Sequence, residues 1–188
     1  MAKRGVSWAN YRHGTMVGGS VPEAVAFMEN ELGYAVDVEE IGGEIYASVQ
    51  SIVAAGISPM VGAVELLNVL KGSRPLAVAS NGSRETVLAS LRAARIPNVF
   101  DVVVGLGATS RPKPAPDLYL EACRQLNVRP ADAIAIEDSF RGATAAKLAG
   151  MRVVGVGTAT RVEEVSDLVV TTLLEPDLLD LLGITTTL

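Results

Sequence analysis

AIAIEDSFRGATAAKLAGM, residues Ala133–Met151, opens with four apolar residues bounded by polar ones. Such a short apolar run reads as a strand buried on both faces, as in a parallel sheet under helices. Two carboxylates, Glu137 and Asp138, stand at its end, and Ser139 offers a hydroxyl where a helix should begin. The helix is rich in alanine (Ala143, Ala145, Ala146, Ala149), and Gly150 supplies a left-handed stop. Val153–Val156 then reads as the next strand. Acid therefore sits at the carboxyl end of a buried strand, the edge where open parallel sheets bind ligands. Two adjacent carboxylates repel each other, and a hard cation would relieve the repulsion.

Upstream, Leu76–Ala79 reads as a strand ending in Ser80-Asn81-Gly82-Ser83, followed by a helix over Arg84–Arg95 with Val87, Leu88 and Leu91 inward. Val102–Val104 reads as another strand, Gly105–Pro116 as a Gly- and Pro-rich loop, and Asp117–Leu126 as a helix. Pro59–Lys71 is a helix with proline at its start and Gly72 at its stop. Leu168–Thr171 and Asp177–Leu182 read as a last strand and a closing helix. This alternation predicts an α/β fold with a doubly wound parallel sheet over residues 58–188. Right-handed crossovers gather the strand ends on one edge, which would carry Ser80, Asn81, Lys113, Glu137 and Asp138.

Residues 1–57 read differently. Ala24, Val25, Phe27, Met28 and Leu32 form a helical stripe after Pro22, ending at Gly33, and Ile45, Val49, Ile52 and Val53 share a face of a second helix over 41–55. These two helices need an external surface to bury against. Residues 1–20 are polar and Gly-rich and hold the chain's one Trp (Trp8) and one His (His13), the latter read as a surface residue.

The 188 residues suffice for one core plus a small appendage, and 49% of them are apolar. A net charge of −5 with no Lys/Arg cluster argues against nucleic-acid binding. A lone cysteine, Cys123, excludes an internal disulfide, and its neighbours Leu118, Tyr119, Ala122 and Leu126 place it in a core. No run of 18 apolar residues occurs and no signal peptide is evident, so a cytoplasmic protein without a membrane partner is expected.

Each edge residue has an ordinary reading beside a chemical one. Ser80 and Asn81 could form an anion site with the N–H groups of the following helix, or simply cap it. Lys113, between Pro112 and Pro114, could neutralise a phosphate or carboxylate, or be a solvated loop lysine. Glu137 and Asp138 at the end of an apolar strand call for a cation or a Lys partner.

Taken in order, SNGS, RPKPAPDLYLEA and AIEDSFRGATAAKLAGM resemble the haloacid dehalogenase-like (HAD) hydrolase superfamily, closest to the sugar-phosphate mutases and phosphatases with a helical cap. The resemblance covers residues 59–172 well and 17–57 loosely, as a partial cap. It implies a small phosphorylated metabolite as substrate and Mg²⁺ as cofactor. It makes Ser80 the phosphate-binding residue of the second motif, with Asn81 lining the pocket. Lys113 would steady the nucleophile and the transferring group, and Glu137 and Asp138 would hold Mg²⁺, directly or through water.

One part of the family pattern is missing. Its first strand ends in Asp-x-Asp, the first Asp attacking phosphorus and the second acting as acid/base. Here the first aspartate is Asp37 and Asp-x-Asp occurs nowhere. The central strand is thus expected to be absent, as if about 20–30 residues preceded Met1. The strands at 76–79 and 133–136 must then pair directly, leave a gap or recruit another chain. An exposed edge would favour association between copies. The expectation is a HAD-like phosphatase or phosphosugar mutase whose chain, as it stands, lacks the nucleophile and is inactive. The alternative is a non-catalytic phosphate- and Mg²⁺-binding or structural subunit. A dehalogenase would need the same missing aspartate, and its usual metal independence suits Glu137-Asp138 poorly.

Overall fold

The computed structural model describes residues 21–33, 35, 37–157 and 161–184. Trp8 and His13 lie outside them. Two helices come first, α1 (Val21–Leu32) and α2 (Val38–Ala55). Asp37 starts α2 by accepting the N–H groups of Glu39 (2.8 Å) and Glu40 (3.1 Å), which are among the N–H groups a helix cannot satisfy itself. The pair closes around Val25, Met28 and Ile41, with Ile45 partly covered. The inward reading of Ile52 is not met: it is 63% exposed, whereas Val49 and Val53, expected on the same face, are half-buried.

The remaining elements alternate: α3 (Ala63–Leu70), β1 (Ala77–Ser83), α4 (Arg84–Ala93), β2 (Val102–Leu106), α5 (Asp117–Leu126), β3 (Ile134–Glu137), α6 (Phe140–Leu148), β4 (Arg152–Val156), β5 (Leu168–Val170) and α7 (Pro176–Leu181). The helix expected from Pro59 begins only at Ala63, after Gly62 at φ +86°. A side chain on Gly62 would meet Leu174, so this close approach to the C-terminal segment sets the start. All strand pairs are parallel. β4 shows why the sheet is covered on both faces. Val153 packs with Tyr119, Cys123 and the α6 alanines, whereas Val154 and Val156 pack with Leu66, Leu70, Leu178 and Leu182 from α3, α7 and the turn after it. Successive strand residues point to opposite faces, so one apolar run feeds two cores. The alanines matter for closeness: Ala143, Ala145 and Ala146 are fully buried, and small side chains let α6 lie close to β3 and β4.

The sheet is not continuous. β2 pairs with β1, and β4 pairs with both β3 and β5, but among the described residues no ladder joins β1 to β3. Between them lies a cavity of about 850 Å³, lined along its length by Ala77–Gly82 and Ala133–Asp138. Burial follows from this. Every β1 residue is only half-buried and Ile136 is 36% exposed, while Val153 and Val154 on β4 are fully buried. Of the three outcomes set out above, the described residues adopt the gap.

Candidate active site

β1 runs further than its apolar residues, to Ser83, with its register to β2 shifting after Ala79. Gly105 makes this possible: a Cβ there would collide with Gly82 O and Arg84 N, so the end of β1 can fold over β2 only above a glycine. The capping role falls to Ser83, whose Oγ accepts the Thr86 N–H at 3.2 Å and starts α4. Ser80 is therefore not the cap. Its Oγ accepts the Gly82 N–H at 3.0 Å and lines the cavity. Asn81 faces across the cleft: its Oδ1 accepts the Lys113 N–H at 2.8 Å and its Nδ2 donates to Lys113 O at 3.2 Å. This places Asn81 on the backbone of the next motif.

Lys113 is not a solvated loop residue; it is only 7% exposed. Its ammonium forms an ion pair with Glu137 Oε1, donates to Tyr119 Oη at 3.2 Å and lies 4.5 Å from the Tyr119 ring centre. Tyr119 Oη itself donates to Glu137 Oε1. Ser139 donates to Glu137 Oε2 at 3.3 Å, and its oxygen accepts the Gly142 N–H at 3.1 Å, capping α6. Glu137 thus lies against the first turn of α6, in a hollow that exists because residue 142 is glycine: a Cβ there would overlap the carboxylate. Arg141 donates to Lys113 O at 3.1 Å, tying that loop to α6 as well.

The electrostatics follow from burial. A buried carboxylate is costly alone, and here the ammonium and two hydroxyls satisfy it. Burial first, and then the Glu137 charge, push the Tyr119 phenol well above its usual range, so it stays a proton donor. Asp138 is exposed on the cavity wall, yet partial desolvation and then the neighbouring Glu137 charge raise its carboxyl pKa. Negative charge is concentrated where a cation would relieve it.

All five residues expected at the strand edge, Ser80, Asn81, Lys113, Glu137 and Asp138, line the same cavity. No group of three or more His, Cys, Asp or Glu able to hold a metal occurs among the described residues. Glu137 is already bonded through both oxygens, to Lys113, Tyr119 and Ser139, so Asp138, exposed on the cavity wall, is the hard carboxylate that would meet a cation directly and Glu137 would act through water. That suits Mg²⁺, which takes one or two carboxylates and keeps waters and substrate phosphate oxygens for the rest. Tyr119 and Gly142 were not singled out from sequence as site residues. Tyr119 offered a faint signal, a hydroxyl on the apolar face of α5 six residues after Lys113. Gly142 offered none before its neighbour was known. No helix among the described residues is long and apolar enough to cross a membrane.

Residues 14–156 match the sequence profile of the haloacid dehalogenase-like hydrolases. The chain is 33% identical over 174 residues to a validoxylamine A 7'-phosphate phosphatase of Streptomyces hygroscopicus subsp. limoneus, covering 86% of this chain and 81% of that protein. It is 33% identical over 158 residues to a bifunctional riboflavin kinase/FMN phosphatase of Arabidopsis thaliana, covering 83% of this chain but only 41% of that protein. A β-phosphoglucomutase from Clostridium difficile superposes with a TM-score of 0.75 at 24% identity, over 88% of this chain and 78% of that one, which shows a common fold. The profile spans most of the chain and the Streptomyces phosphatase matches it along most of both lengths, so the chain belongs to the haloacid dehalogenase-like hydrolase family.

Proposed function

We propose that this chain carries the phosphate-handling site of a Mg²⁺-dependent phosphatase, or phosphosugar mutase, acting on a small phosphorylated metabolite. The observation that carries the reading is the convergence of Ser80, Asn81, Lys113, Glu137 and Asp138 on one cavity at the carboxyl edge of the sheet. Ser80 and the amino end of α4 would receive phosphate oxygens, and the Lys113 ammonium would offset their charge. Asn81 would keep Lys113 in reach. Glu137 and Asp138 are the residues that would hold Mg²⁺, which when bound supplies charge neutralisation at the phosphate.

The attacking carboxylate of the family's chemistry is not among these 188 residues, since Asp-x-Asp is absent. We therefore read the chain as binding and polarising a phosphate monoester without completing transfer by itself. Residues 1–57 would contribute a partial helical cap and 58–188 the core. The open edges of β1 and β3 would favour pairing with another strand, including one from a second copy. A cytoplasmic setting fits the lone buried Cys123.

The test is hydrolysis of p-nitrophenyl phosphate with and without Mg²⁺, with Lys113→Ala alongside. The expected result is no turnover above that control. Mg²⁺-dependent turnover that Lys113→Ala abolishes would show that another group replaces the aspartate. The second reading, a non-catalytic phosphate-binding subunit, is favoured by Ser80, Asn81 and Lys113 lining one cavity in a sequence without Asp-x-Asp. Calorimetry with inorganic phosphate decides it, and silence at millimolar phosphate would remove it.

A further inference from the structure

We propose that Tyr119 is a positioning residue for Lys113: its phenol locks the buried Lys113–Glu137 pair into one orientation and so aims the ammonium at the phosphate cleft. The inference rests on the phosphate-site reading for its purpose, but not for its geometry.

Tyr119 is 8% exposed and packs by its ring among Cys123, Ala146 and Val153 on the face of α5 turned to the sheet. A phenylalanine would fill the same space. The hydroxyl is what sets Tyr119 apart, because burying it costs free energy unless it is bonded. Its two partners are both charged: it accepts from Lys113 Nζ at 3.2 Å and donates to Glu137 Oε1. The three groups thus close a ring, Lys113 to Tyr119 to Glu137 and back to Lys113. The ring face adds a cation–π contact at 4.5 Å.

An ammonium has three donors on a flexible four-carbon stem. Two are directed inward, to Glu137 and Tyr119. Because Lys113 lines the cavity, the remaining donor is the one an anion there can reach. The Lys113 backbone is already held by Asn81 and Arg141, and Glu137 by Ser139 and the Gly142 hollow. Tyr119 adds the restraint on the side-chain head itself. Without the hydroxyl the ion pair and the ring contact survive, but the ammonium keeps only one directional hydrogen bond, to Glu137.

The test follows acetylation of lysines by mass spectrometry in the intact chain and in Tyr119→Phe. Lys71 and Lys147 serve as internal references for general loosening. The expected result is a rise of about tenfold in Lys113 labelling relative to both references, the size expected for losing a hydrogen bond to a charged group. Unchanged Lys113 labelling, or an equal rise at all three lysines, would overturn the proposal. Inorganic phosphate added to wild type tests the site reading separately: it should slow Lys113 labelling. No slowing would count against the phosphate site while leaving the Tyr119 comparison standing. Should Tyr119→Phe not fold, NMR of the unaltered protein decides. A slowly exchanging Tyr119 hydroxyl proton with a cross-peak to the Lys113 ε-methylene supports the ring, and its absence sinks it.

Discussion

Asn81 grips Lys113 by both of its backbone groups, accepting the N–H at 2.8 Å and donating to the carbonyl at 3.2 Å. A side-chain amide here does what a neighbouring strand would do, and it does so across the mouth of the cleft. Replacing Asn81 by Ala removes both bonds, stranding the Lys113 N–H and leaving the carbonyl with Arg141 alone. We expect a loss of about 1–3 kcal/mol in stability. Phosphate affinity should fall as well, even though Asn81 would act through Lys113. Urea denaturation and phosphate calorimetry on the same variant check this; a stability loss with affinity intact would detach Asn81 from the anion site.

The Gly142 hollow makes a sharper prediction. In an exposed helix Gly→Ala gains up to about 1 kcal/mol. Here the added methyl overlaps the Glu137 carboxylate, so sterics reverse the sign and Gly142→Ala should destabilise by several times that amount, about 2–4 kcal/mol. Gly150, at φ +84° with nothing near its Cβ, is the control. Its alanine variant should lose only about 1–2 kcal/mol, from the left-handed backbone alone. Thermal unfolding of the two variants ranks them; equal losses would mean that Glu137 does not occupy the hollow.

Lys113 and Glu137 should be strongly coupled. Removing either partner, as in Lys113→Met or Glu137→Gln, strands the other charge in a buried place and should cost about 3–5 kcal/mol. Removing both, as in Lys113→Met with Glu137→Met, should cost less than the sum of the singles. A double-mutant cycle in urea measures the difference. Additive losses would show that the pair is solvated in solution.

Acid stability should depend on Asp167. Its carboxylate is held below the usual range first by the Lys147 ammonium and then by the Val153 N–H, which donates at 2.8 Å. The folded pKa lies below the unfolded one, so the contribution is fully present above about pH 4 and fades as pH falls through the folded value. The effect is small, because the pair is 38% exposed on each side and solvent screens it. Asp167→Asn should flatten the acid limb of the denaturation midpoint plotted against pH. Parallel curves for wild type and variant would exclude this origin.

The sequence revealed the site's list of residues better than their duties. The apolar run before Glu137 and the SNGS turn each marked a strand end, the prolines around Lys113 marked a stiff loop, and all three meet at one cavity. Periodicity and punctuation sufficed for α5, whose bounds Asp117–Leu126 are as read. What stayed hidden depended on contacts between distant segments. Ser83 rather than Ser80 caps α4 because β1 overruns its apolar residues, and Gly105 permits this from another strand. Lys113 is buried because Tyr119 and Glu137 await it, which no local pattern announces. The exposure of Ile52 likewise could not be read from its spacing, which matches that of the half-buried Val49 and Val53.

The gap between β1 and β3 has a mechanical consequence. Backbone hydrogen bonds make each half of the sheet a stiff plate, but nothing of that kind crosses from one plate to the other. Toward the cleft mouth, the crossing is made by side chains: Asn81 on one plate holds Lys113, which holds Glu137 on the other. The groups that would bind phosphate are thus also the clasp between two plates. Anything seated on that clasp stiffens the crossing at the cleft mouth, while deeper in, Tyr119 and Cys123 of α5 share one core with Ala79 of one plate and Val153 of the other.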